Sequence, residues 1–143
     1  MAEAMERGEV ERDPYTPESI RIFTLQQCRN KAQEIPGSRD FLTVPVLAKA
    51  LGATETEIYE SAFYHPHIID VMTEHAKTTM RNYNIFRSAY GDLRHAGYKN
   101  ISRQMLADES GLYKNVISNL LAGTDIPHLF GIITPGPTGR KLR

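Results

Sequence analysis

With 143 residues, 41% of them hydrophobic and 24% charged, the chain has the size and composition of a folded soluble protein with one ordinary core, or two very small modules sharing one. Two large domains and wholesale disorder are excluded. The formal net charge of zero hides an asymmetry: residues 1–79 carry 8 Lys and Arg against 13 Asp and Glu, residues 80–143 carry 9 against 4, so a polyanion is expected to meet the second half.

No apolar run approaches the roughly 18 residues of a membrane span, so no membrane contact is expected. Residues 1–8 are too acidic and polar for a secretory signal, and the expected address is the cytoplasm. Cys28 is the single cysteine; it can form neither an intramolecular disulfide nor a zinc site and reads as a buried structural thiol.

Residues 1–15 are charged and nearly devoid of large aliphatics, which predicts a flexible leader. Thr16-Pro17-Glu18 has the form of a helix start, with Thr16 as N-cap and Pro17 at the first helical position. Ile20, Phe23, Leu25, Cys28, Ala32 and Ile35 would form its apolar face, and Pro36-Gly37 its stop.

The next segment, Thr43 to Ser61, contains Ala48, Gly52 and Ile58, and the intervals between them recur later at Ala107, Gly111 and Ile117. Thr43 is the expected N-cap of the first copy and Ser102 that of the second. Each copy is followed by Pro-His, at Pro66-His67 and Pro127-His128, which together suggest an internal duplication. The second helix of the first copy would expose Thr54, Glu55, Thr56, Glu57 and Glu60. Three carboxylates on that face would be repelled by a phosphate-lined groove, so a structural or partner-binding role is expected for the copy.

Ile68 to Tyr98 keeps a helical rhythm through Ile69, Met72, Met80, Tyr83, Ala89 and Leu93, predicting one long helix or two in series. Gly91 and Gly97 are its soft points, and Arg81, Arg87 and Arg94 add positive charge along it. Such a helix would join the two units.

In the second copy, Arg103 to Ala122, Leu106, Ala107, Leu112, Ile117 and Leu120 are the apolar positions of two short helices crossing at a tight turn, and Gly111 can take the positive φ that the turn demands. Tyr113, Lys114, Asn115, Ser118 and Asn119 are left facing outward, hydrogen-bonding types without a carboxylate. The series Ala107, Gly111, Ile117, Leu120 resembles the helix-turn-helix regulators of the Cro and repressor type. That resemblance implies DNA binding by the second helix. Asn115 and Asn119 can pair bidentately with adenine, and Lys114 can reach guanine or phosphate. Ser102 and Gln104 sit where a helix N-terminus can bind phosphate, with a plain N-cap as the other reading of Ser102.

Gly123 suits the end of the second helix. From Leu129 onward the chain reads as a short β segment, a Pro/Gly turn and a basic tail. This is similar to the wing of winged-helix proteins, which implies phosphate or minor-groove contacts by Arg140, Lys141 and Arg143; a frayed basic tail is the alternative.

His65, His67 and His75 lack a completing ligand at metal spacing, so no metal or cofactor is expected. Leu93-Arg94-His95 resembles the phosphate-holding segment of tyrosine recombinases. Gly91 departs from that pattern, and no tyrosine follows Tyr113 to act as nucleophile, so no enzyme is expected.

The expected fold is therefore mostly α: a leader (1–15), an acidic helix-turn-helix unit (16–70), and a central helix with a basic helix-turn-helix unit and a wing-like tail (71–143). The expected function is DNA-binding transcriptional regulation through double-stranded DNA, with dimer or partner contacts made by the acidic unit. The competing expectation is a protein-interaction adaptor or antiactivator that uses the same helices as scaffold.

Overall fold

A computed structural model describes residues 13–37, 42–122 and 124–133, and these are mostly helical. They divide into two compact units, residues 1–84 and 85–143. No helix among the described residues is long and apolar enough to cross a membrane.

In the first unit, helix α1 (Leu25–Glu34) starts at Thr24, not at Thr16. The Thr24 hydroxyl accepts from the Gln27 N–H while the Gln27 side chain accepts from the Thr24 N–H. This reciprocal box satisfies two otherwise orphaned donors. Thr16 has other work: its hydroxyl donates to the buried carboxylate of Glu60, and its N–H closes a turn onto Asp13. Ordered contacts begin ahead of Thr16, since the Asp13 N–H donates to the Tyr64 hydroxyl at 2.7 Å. Residues 1–12 lie outside the described residues.

Helix α2 (Val44–Leu51) follows Thr43, which occupies the cap position without a side-chain hydrogen bond, and ends at Gly52 in the left-handed conformation, φ 66°. Helix α3 (Glu55–Tyr64) begins shortly after at Thr54, with a second reciprocal box formed by Glu57. The positive φ of Gly52 lets the backbone reverse in so short a space, because an L side chain there would crowd its own backbone. A 3-10 helix (Pro66–Val71) packs on α1 and α3. The core of the unit gathers Cys28, Leu42, Leu47, Ile58, Ala62, Ile68 and Met80. Burial pushes the Cys28 thiol up to about 11.

Continuous helix from Ile68 does not form. Met72 is extended, and the Thr73 N–H donates to the Leu42 carbonyl, which takes the donor a through-running helix would need. Helix α4 (Glu74–His95) starts beyond it and contains the division between the units. Gly91 lies within α4, while Gly97, at φ 101°, follows its end; there the Tyr98 N–H bonds back to the Leu93 carbonyl.

In the second unit, strand β1 (Ile101–Ser102) leads into α5 (Arg103–Ser110), Gly111 at φ 79°, and α6 (Lys114–Leu121). The two helices keep the offset between their starts that separates α2 from α3, as the repeated spacing in the sequence predicts. Helix α7 (Ile126–Phe130) takes Leu129 and Phe130, which read as strand in the sequence, because Pro127 fits its first turn and Gly131 ends it in the left-handed region. Strand β2 (Ile132–Ile133) pairs in parallel with β1. A wing is built as an antiparallel hairpin, and residues 134–143, where its turn and return would fall, lie outside the described residues, as does Gly123.

Phe86, Tyr90, Leu106, Ile117, Ile126 and Phe130 are buried in this unit. The Tyr90 hydroxyl donates to the Phe130 carbonyl at 2.6 Å, and the two rings meet edge to face. Arg87 corrects an expectation: it is buried, with its guanidinium over the rings of Tyr90 and Phe130, so it contributes no surface charge.

Candidate functional site

The outward face of α6 is the candidate site. Its residues are placed by the turn at Gly111 and by Leu106, Ile117, Leu120 and Leu121, whose burial fixes which side of the helix faces in. Tyr113 stands at the cap position, 81% exposed. Lys114, Asn115 and Asn119 are exposed as well. No side chain caps α6, whereas in α3 the Thr54 hydroxyl accepts from the Glu57 N–H.

The other sequence candidates are already engaged. The Ser118 hydroxyl is half-buried and accepts from Nη1 of Arg103 at 2.8 Å. Ser102 caps α5 by accepting from the Met105 N–H. Exposed Gln104 donates through Nε2 to Asp108, one turn along. Arg140, Lys141 and Arg143 lie outside the described residues. The structure thus leaves Tyr113 and Lys114 exposed at the start of α6 and Asn115 and Asn119 exposed on its outward side, and ties the remaining described candidates into local hydrogen bonds.

Sequence reasoning missed Arg103. It occupies the first position of α5, where α2 has Val44, and its bond to Ser118 braces the two helices against each other. A basic residue at that position gave no signal, because only the crossing of the helices brings it within reach of a side chain on the next one.

The acidic face expected on α3 does not exist. Thr56 is 2% exposed, Glu57 6% and Glu60 0%; Thr54 and Glu55 remain outside. Residues 13–23 run along this helix and bond to it at successive turns. Arg21 donates through its backbone and side chain to the Glu57 carboxylate, Thr16 to Glu60, and the Phe23 N–H to the Ser61 hydroxyl. Thr16 and Tyr64 share a further hydrogen bond. From the other side the Tyr83 hydroxyl donates to Glu60, and the Tyr83 ring stacks on Tyr59. Burial by itself would raise the Glu57 carboxyl. The hydrogen bonds from Arg21 and Thr54 and the charge of Arg21 outweigh it and lower the group to about 2.

The histidines stay apart. His67 pairs with Asp70 through Nδ1 at 3.2 Å, and His75 is exposed. Partial burial lowers the pKa of His65. Among the described residues no group of three His, Cys, Asp or Glu side chains is placed to hold a metal ion. Arg94 donates to the Tyr90 hydroxyl and stacks over that ring.

The chain matches no protein-family model, no curated protein and no solved structure.

Proposed function

We propose that the two helix pairs are tandem helix-turn-helix units and that the protein is a DNA-binding transcriptional regulator, with α6 as the helix that enters the major groove. The observation that carries this reading is the bare face of α6. Four exposed side chains able to meet bases or phosphates project from a helix that bears no carboxylate and follows a glycine turn. The first unit serves dimer or partner contacts, since its α3 is covered by its own chain and offers no face to a groove.

Charge decides what else is needed. Residues 85–133 contain five Lys and Arg against four Asp and Glu, so phosphate neutralisation draws on Arg140, Lys141 and Arg143. That near-even balance also favours the second reading, an adaptor or antiactivator using the same helices as scaffold. A salt titration of binding to random duplex DNA separates the two. On the DNA reading the affinity falls steeply with salt. Removing residues 140–143 then lowers the slope of log K against log salt by roughly 3, and Lys114→Ala by about 1. Absence of binding at low salt leaves the adaptor.

A further inference from the structure

We infer that α6 reads adenine, through Asn115 and Asn119 each pairing with the N6 amino group and N7 of one base. This rests on the DNA-binding reading above and narrows it to a base class. The two asparagines lie one helical turn apart on one exposed face, so their side chains are separated by roughly 6 Å along the helix axis. Successive bases on one strand rise by about 3.4 Å, which places the two adenines one or two steps apart.

The choice of base follows from which side chains remain free to choose. A carboxamide presents one acceptor beside one donor, the complement of the donor and acceptor that adenine shows in the major groove; guanine shows two acceptors there and cannot satisfy that fork. Among the other sequence candidates, the Ser118 hydroxyl is held by Arg103 and the Gln104 amide by Asp108. Tyr113 and Lys114 stand at the start of the helix.

A second observation concerns the same face. In α3 the positions that correspond to Asn115 and Asn119 are Thr56 and Glu60, both buried under the first unit's own chain. The second unit leaves these positions open to an external molecule.

The test is selection of sites by the full-length protein from random duplexes at low salt, followed by affinity measurement on the selected site with 7-deazaadenine, which lacks the N7 acceptor. The expected consensus holds two adenines one or two steps apart. Replacing either by 7-deazaadenine weakens the unmodified protein about tenfold and leaves the matching Asn115→Ala or Asn119→Ala variant unaffected. Each variant relaxes the preference at one position. A consensus without adenine, or indifference to 7-deazaadenine, overturns adenine reading while salt-dependent DNA binding stands. Failure to retain any duplex at low salt overturns the DNA reading and this inference with it.

Discussion

Helices α3 and α6 occupy corresponding places in the two helix pairs, and the same device forms each pair. A short helix ends in a left-handed glycine, Gly52 or Gly111, and the second helix starts within a turn's length of it. Ile58 and Ile117 fill the same inward position and are both fully buried. The outward faces differ: α3 is enclosed by residues 13–23 and by Tyr83, whereas α6 is bare along Tyr113, Lys114, Asn115 and Asn119. Shared spacing thus fixes a packing unit, and only its surroundings set whether that unit has a surface to offer. Charge on the helix is a poor guide to this. Two of the three glutamates that made α3 look like an acidic surface are internal hydrogen-bonding groups.

The sharpest way to break the comparison is to substitute alanine at one corresponding position in both units. Glu60→Ala removes a fully buried group that Thr16 and Tyr83 both bond, so it is expected to cost about 3 kcal/mol, read as a lower denaturation midpoint. Asn119→Ala, at the corresponding place in α6, is expected to leave the stability within about 0.5 kcal/mol of the parent. Equal losses would show that α6 is covered as α3 is.

Acid unfolding gives a smaller, directional effect. The folded pKa of Glu57 is lowered to about 2, below the roughly 4.3 of an unfolded chain. The stabilisation is therefore fully present above the unfolded value and is lost as the pH falls from there toward the folded one. Glu57→Gln is expected to cost about 2 kcal/mol near neutral pH, after allowing for the exposure of Arg21, and to converge with the parent near the folded pKa. A difference that persists undiminished to that pH would sink the assignment of the stabilisation to the ionised Glu57 carboxylate and its hydrogen bonds.

The smallest effect tests the likeness of the two turns. Gly52→Ala and Gly111→Ala add a methyl group that meets nothing within 4 Å, so only the positive φ opposes them. Each is expected to cost about 1 kcal/mol, nearly the same in both units, by thermal or denaturant melts. A large difference between them would mean that the two turns are not equivalent.

Much of the fold was legible because its signals are local. Ser102 and Thr43 mark helix starts, Gly52 and Gly111 mark reversals, and Ala48, Leu106, Ile58 and Ile117 fall at the apolar spacing of packed helices. The errors arose where two local signals competed or where a distant partner decided. The helix start expected at Thr16-Pro17 falls at Thr24 in the structure. The reciprocal bond with Gln27 favoured Thr24, while Thr16 gave its hydroxyl to Glu60, far along the chain. Leu129 and Phe130 look like strand residues in isolation, but Pro127 opens a helical turn and Gly131 closes it.

For the candidate site the same division holds. Asn115 and Asn119 could be placed outward from the period of α6 alone, because the buried stripe Ile117, Leu120 and Leu121 leaves them no other side; Tyr113 and Lys114 fall in line with that stripe and are exposed at the start of the helix. That Ser118 is held by Arg103, and that Gln104 is held by Asp108, depends on side-chain reach and rotamer, which residue spacing does not specify.

By itself the sequence determined two helix pairs, their glycine turns and the inward positions of Ile58 and Ile117, since hydrogen bonding within a helix and the burial of a stripe depend on close neighbours in the chain. Only the tertiary structure decided that α3 is an internal helix and α6 an open one. Whether a polar side chain faces water or a partner depends on segments remote in sequence, as Thr16, Arg21 and Tyr83 show at Glu57 and Glu60.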